Sequence, residues 1–263
     1  MQIEGSRVLL TGASGGLGQA IARGLAARGA KLILTSRRVD LLEALASELD
    51  ATVIAADLSS SAETLRLASE AGEVDVLLAN AGIPAAGRLE SFTVEEVERT
   101  LDVNLGSAIL LSHALLPGML ERHRGHLVFI SSIAGKTTVP GDPLYHATKY
   151  GMRGFAAAMR MDLHGTGVSS SCVFPGFIHG AGIFADSGAK LPPGIGTRSP
   201  EDVADGVVSA IEHDRGEVEV AAFPQRAGAK VANLAPDLSA AFVRRTGGGR
   251  LAHEMDLALR DKR

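Results

Sequence analysis

Tyr145 and Lys149 stand four residues apart in a segment of helical period, which puts a phenol and an ammonium on one helix face. A free phenol has a pKa near 10, and a cation within about 4–6 Å favours the phenolate by about 1–3 units. Lys149 is therefore expected to make Tyr145 usable in proton transfer; a helix-surface pair without chemistry is the alternative. A second candidate lies near the N-terminus, where an apolar run enters Thr11-Gly12-Ala13-Ser14-Gly15-Gly16-Leu17-Gly18 and a helical pattern follows. Glycines in such a turn let backbone approach a pyrophosphate, and the helix N-terminus offers free N–H groups and the positive end of its dipole. A tight turn without a ligand has the same glycines. The strand before and the helix after favour binding.

These groups must be held by a frame. Short Val, Ile and Leu runs at 7–10, 31–35, 52–56, 74–78, 126–130, 168–174 and 217–221 alternate with helical patterns at 16–28, 39–49, 62–71, 94–116 and 145–163. That alternation predicts an α/β fold: a doubly wound parallel sheet of the Rossmann type, helices on both faces, in a single domain. We read residues 1–224 as the catalytic domain, a Gly- and Pro-rich lid over about 176–200 with short helical turns, and 225–263 as a C-terminal helical extension.

Composition narrows the function. The chain has 263 residues, 46% of them hydrophobic, enough to bury a core without metal or disulfide. A net charge of −4, 4% aromatic residues and no Trp argue against nucleic acid as a partner. Cys172 is the one cysteine and reads as a small buried hydrophobe in a reducing cytoplasm. The apolar stretch at 105–120 is shorter than a membrane span and carries Ser, His and Pro, so a soluble, cytoplasmic protein is expected. The last 39 residues carry +4 and the rest −8. Leu234, Leu238 and Phe242 fall on one helical face there, opposite Arg244 and Arg245. We expect this tail to dock on the protein's own body or a neighbouring subunit, with peripheral contact to anionic lipid the less favoured use.

Thr11 to Gly18 and Tyr145 to Lys149 together resemble the T-G-x-x-x-G-x-G and Y-x-x-x-K motifs of the short-chain dehydrogenase/reductase family. Asn80-Ala81-Gly82 after the fourth strand, Asn104 in a helix, Ser131-Ser132 after the fifth strand and Pro175-Gly176 after the sixth extend the resemblance over about residues 6–180. It implies hydride transfer between a nicotinamide and a carbon bearing oxygen. Tyr145 would be the general acid or base, and Ser132 would donate to the substrate oxygen. Lys149 would bind the nicotinamide ribose and lower the Tyr145 pKa, while Asn104 would hold a water relaying protons to Lys149. The cofactor would lie along Gly12, Ser14, Gly15, Gly16, Leu17 and Gly18, then Ser36, Arg37 and Arg38, then Asp57 and Leu58. Asn80, Ala81, Gly82, Tyr145, Lys149, Pro175, Gly176 and Ile178 would complete its contacts.

NAD sites place a carboxylate at the end of the second strand, where this chain reads Thr35-Ser36-Arg37-Arg38. Two guanidiniums and no acid favour a 2'-phosphate, hence NADP over NAD. Gly15 departs from the family, whose NADP enzymes often carry a basic residue there. Phe177-Ile178-His179-Gly180 lacks the usual hydroxyl for the carboxamide, leaving backbone as the expected contact rather than His179. His146 is expected to face elsewhere without a role. Phe177, Ile178, Ile183, Phe184, Leu191, Val139 and Leu144 suggest a pocket for a largely apolar carbonyl or alcohol. A catalytically silent sensor or scaffold, and an epimerase or dehydratase, are the competing readings. Leu101, Leu105, Phe155 and Met159 suggest exposed apolar helix faces, and the resemblance implies a homodimer or homotetramer.

Overall fold

Buried strands that are apolar on both faces can sit only in the middle of a sheet covered on both sides, and that is where this chain puts them. The computed structural model describes residues 1–246 and 248–262. Its strands are β1 (Arg7–Thr11), β2 (Lys31–Thr35), β3 (Thr52–Val53), β4 (Val76–Ala79), β5 (Gly125–Ile130), β6 (Val168–Pro175) and β7 (Glu217–Val220). They form one parallel sheet in the order β3-β2-β1-β4-β5-β6-β7. The helices are α1 (Gly16–Ala26), α2 (Val39–Leu49), α3 (Ser61–Ala71), α4 (Val94–Leu101), α5 (Ser107–Glu121), α6 (Pro143–Asp162), α7 (Gly182–Ser187), α8 (Pro200–Glu212), α9 (Phe223–Leu234), α10 (Pro236–Arg245) and α11 (Gly249–Leu259).

Because side chains alternate along a strand, the sheet divides the core in two. Val8, Leu10, Leu78 and Ile130 point to one side and meet Ile21 and Leu25 of α1, Leu42 of α2 and Val207 of α8. Leu9, Leu77, Leu127 and Phe129 point to the other and meet Leu67 of α3, Leu111 of α5 and Met152 of α6. Phe129 also meets Phe155 edge to face at 5.5 Å. Cys172 sits in this second half, and burial pushes its thiol up to about 12, so it is inert packing.

Several sequence expectations shift. β3 is two residues long rather than five: the chain peels away from the sheet edge after Val53, and Arg66 captures the freed Ala55 carbonyl at 2.7 Å. The helix expected at 94–116 is three pieces, because a π turn at Asp102–Gly106 separates α4 from α5. The combined rod Val94–Glu121 is long and apolar enough to cross a membrane, yet its Ala108, Leu111, Leu115 and Met119 are buried against the sheet. Leu105, Phe155 and Met159 pack on the second core half instead of facing outward, whereas Leu101 is exposed. In the tail, Leu234 ends α9 and Leu238 and Phe242 belong to α10, so they share no single helix, and all three are exposed. The element that docks on the body is α11, through Leu251, Ala252, Met255, Asp256 and Leu259, the repeat of one helix face.

A buried cation ties the substrate-side turn to the sheet edge. Lys136 is 4% exposed, donates to Glu217 at 2.7 Å and Glu219 at 2.8 Å, and lies 4.1 Å from the Phe174 ring centre. Partial burial acts to raise both glutamates, but the hydrogen bonds to Lys136 win and hold them below the usual carboxylate range. A depressed carboxylate stabilises the fold above its unfolded pKa and loses that contribution as the pH falls through its folded value. Lys136→Met, which leaves Glu217 to Arg153 at 2.8 Å and Glu219 to Arg226 at 3.3 Å, is expected to cost about 1–3 kcal/mol at neutral pH. Denaturant unfolding at pH 7 and again in acid should show this gap narrowing as the glutamates protonate; a gap that is constant with pH would refute the ion-pair account.

Candidate active site

The chain order of the sheet reverses between β1 and β4, and parallel sheets bind ligands at the carboxyl ends beside such a switch point. There a cleft of about 920 Å³ opens, lined by the glycine-rich turn and by the ends of β2, β4, β5 and β6. Every residue expected to contact cofactor lines this cleft, from Gly12 to Ile178, and so do Ser132, Tyr145 and Lys149. Asn104 is the exception: it is fully buried just behind the wall formed by Gly82.

The turn is built for close approach. Gly12 has φ +66°, and a Cβ there would come within 2.8 Å of the Ala81 backbone. A Cβ on Gly18 would lie 2.3 Å from the Gly12 carbonyl oxygen. The N-terminus of α1 carries no side-chain cap and no acid in its first turn, which leaves its first N–H groups and dipole available to an anion. Asn80 locks β4 to this turn, its amide donating to the carbonyls of Thr11 at 2.9 Å and Gly12 at 3.3 Å, while its own N–H donates to the Thr11 hydroxyl.

The end of β2 brings Ser36, Arg37 and Arg38 to the same cleft. Arg38 reaches across the turn and donates to the Ser14 hydroxyl at 3.2 Å and the Ser14 carbonyl at 2.9 Å. A guanidinium therefore stands beside Gly15, where the sequence lacks a basic residue of its own. Asp57 is partly buried, which acts to raise it, but the Ser59 N–H and hydroxyl hold its carboxylate below the usual range. The glycine cradle and the uncapped helix together fit a dinucleotide's phosphates, with Arg37 and Arg38 at the end of the cleft beyond β2.

At the other end, α6 begins with Pro143 and carries Tyr145 and Lys149 on one face, the ammonium 5.6 Å from the phenol ring centre. Lys149 donates to the Ile130 carbonyl at 3.1 Å, and burial pushes it down to about 8. Tyr145 moves opposite to the expectation from its lysine: burial raises the phenol well above its usual range, nearby Asp142 adds to this, and only a hydrogen bond from Ser132 opposes it. Removal from water, which penalises charge on either partner, outweighs their attraction here. Ser132 also takes the Ala134 N–H at 3.1 Å. The π turn supplies Asn104, whose side-chain oxygen accepts from the Ile83 N–H at 2.7 Å and whose amide donates to the Ile83 carbonyl at 3.0 Å. Its oxygen lies 3.5 Å, and the Lys149 ammonium 3.7 Å, from the position of a Cβ on Gly82.

Two histidines differ from one another. His179 is exposed and bonds Thr197 at 3.1 Å, outside the cleft, whereas its neighbours Ile178 and Gly180 line it. His146, expected to lack a role, is buried: one ring nitrogen lies 2.8 Å from the Ala134 carbonyl and the other takes the Val139 N–H at 3.1 Å. That geometry fixes a neutral tautomer, burial lowers its pKa, and the ring staples the segment between Ser132 and Val139. Of the apolar residues expected in the pocket, Leu144 lies in the core and Leu191 lies off the lining, while Leu251, Ala252 and Met255 of α11 join it unforeseen.

The family model described as short chain dehydrogenase matches residues 6–191. The chain belongs to that family. Among its relatives, a ketoacyl reductase, HetN, of Nostoc is 37% identical over 83% of this chain and 79% of its own. An NADP-dependent 3-hydroxy acid dehydrogenase, YdfG, of Salmonella typhi is 35% identical over 76% and 86%. A solved serine dehydrogenase in its closed form with NADP+ superposes with a TM-score of 0.73 at 31% identity, over 81% of this chain and 93% of that one. A short-chain dehydrogenase from Sphingobium yanoikuyae with NADPH gives 0.74 at 26%, over 81% and 87%. The matched region stops before α8, so α9 to α11 lie outside what the family model describes.

The two inner glycines of the turn give a paired test of this dehydrogenase site. Gly15→Ala meets the Gly12 carbonyl at 3.5 Å, an ordinary contact, whereas Gly18→Ala forces backbone against backbone. Overpacking of that kind costs about 1–3 kcal/mol. Denaturant unfolding should therefore show Gly18→Ala less stable by that amount and Gly15→Ala close to the parent protein; equal effects would contradict the cradle.

Proposed function

We propose that this short-chain dehydrogenase is an NADP-dependent oxidoreductase that interconverts a carbonyl and a secondary alcohol on a largely apolar small molecule. The observation that carries the reading is the cluster of Ser132, Tyr145 and Lys149 at the mouth of a dinucleotide cleft, with the Lys149 ammonium 5.6 Å from the Tyr145 ring centre. The glycine-rich turn, Ser36 and Arg37 would hold NADPH along the cleft, where it would supply the hydride, with both electrons of the new C–H bond, and become NADP+. Ser132 donates to the carbonyl oxygen as negative charge grows on it. Tyr145 gives its proton to that oxygen, completing the alcohol. A phenol with a raised pKa keeps its proton until a strong base forms beside it, which suits the reductive direction. Lys149 binds the ribose hydroxyls, and its ammonium offsets the charge left on Tyr145. Asn104 acts through Ile83 and Gly82, holding the cleft wall beside the Lys149 ammonium. In the oxidative direction each proton transfer reverses.

Support for NADP comes from Arg37 and Arg38 with Ser36 at the end of β2, and from relatives whose names and complexes carry NADP. Replacing Tyr145 with Phe is expected to leave NADPH binding in place and to lower turnover of a carbonyl panel about 100-fold or more. Absorbance at 340 nm reads it, and normal turnover would defeat the mechanism.

For the cofactor, a charge-assisted bond to phosphate is worth roughly 1.5–3 kcal/mol, or about 10- to 150-fold in affinity. Ser36→Asp combined with Arg37→Ala should shift preference from NADP toward NAD by that order. Titration of the parent protein comes first, because tighter binding of NAD than NADP there would already reverse the assignment.

A further inference from the structure

We propose that α11 is a substrate-selecting roof over the active site, in which Leu251 and Met255 favour an uncharged carbonyl compound carrying an apolar chain. This rests on the reading above that the cleft reduces a carbonyl. The helix reaches two segments flanking the reacting end. On one side Gly249 faces Pro140, and Ala252 lies 3.7 Å from where a Cβ on Gly141 would be, beside the His146-stapled segment. On the other side α11 packs on α7, and Lys262 beyond its end pairs with Asp186 of α7 at 3.7 Å. Leu251, Ala252 and Met255 thus face the cleft while Asp256 and Leu259, on the same helix side, are buried.

The chemistry of that end is one-sided. Leu251 and Met255 line the same cleft as Val139, Ile183 and the tilted ring pair Phe177 and Phe184, whose centres lie 4.9 Å apart. A flexible Met at such a wall adapts to chains of different shape. Among the described residues at this end, Lys262 is a cation, and it is held by Asp186 with Asp261 also lining the cleft. A free carboxylate would have to compete for that lysine, whereas an ester, thioester or ketone enters an apolar space without losing a partner.

The test uses the full-length protein with NADPH and a series of 3-oxo esters from four to ten carbons, each beside its free acid. Each buried methylene is worth up to about fourfold, so kcat/KM should climb about two- to fourfold per methylene and favour each long ester over its acid at least tenfold. Met255→Asp should flatten the climb, raising KM for the ten-carbon ester tenfold or more while kcat moves less than about twofold. Met255→Leu, which keeps the apolar volume, should restore it and so separates selection from misfolding. Calorimetric binding of the matching 3-hydroxy esters to the NADP+-loaded protein reads the same dependence without turnover. Chain-length-dependent binding that Met255→Asp abolishes supports the roof even if no ester is reduced, in which case only the reaction assigned above falls. A dependence on chain length that is absent in the parent protein, or the same in Met255→Asp, overturns the roof.

Discussion

A parallel sheet buried on both faces leaves its strand ends as the one place where backbone turns outward, and the cleft is built at that place. Five strand ends converge at the switch between β1 and β4. Thr11, the last residue of β1, and Asn80, one residue beyond β4, are bonded to each other across the switch. The glycine-rich turn, the arginines after β2 and the serine after β5 take their positions from the same register. Side chains that do chemistry are thus held by elements that have no chemistry of their own.

Burial sets the electrostatic character of the site. Lys149 and Tyr145 are both pressed toward their neutral forms, the lysine down to about 8 and the phenol upward. A pair so poised exchanges a proton with a bound molecule more readily than with solvent, since charge on either partner is expensive until something nearby compensates it. Around it, neutral anchors do the positioning: His146 holds the 134–139 segment and Asn104 holds Ile83. Apart from Asp142 beside the phenol, the other full charges lie farther out, with Lys136 in its glutamate pair and the arginines at the far end of the cleft.

Most of the frame was legible in the sequence because it depends on local patterns. Strand runs, helix periods and the glycine spacing place β1, β2, α1 and α2 nearly to the residue. What failed needed information from elsewhere in the chain. The length of β3 depends on Arg66 taking the Ala55 carbonyl, and the π turn at Asn104 leaves no mark in an apolar helical period. The pairwise argument for Tyr145 omitted desolvation, which no spacing reveals. His146 looked idle because its partners, Ala134 and Val139, lie in a turn without a motif. The stripe at Leu251, Ala252, Met255 and Leu259 was there to be read, but the larger side chains of α10 drew attention first, and those prove exposed.

The central place of β1 also governs how the chain comes together in time. Val8, Leu9 and Leu10 pair with β2 on one side and with β4 on the other. On a ribosome adding ~5–20 residues per second, the second partner follows the first by a few seconds. Throughout that interval the buried Val8-Leu9-Leu10 run presents an unpaired edge, the template on which chains join one another. Synthesis rate and chaperone supply, rather than the stability of the finished sheet, then set how much of the newly made chain escapes aggregation.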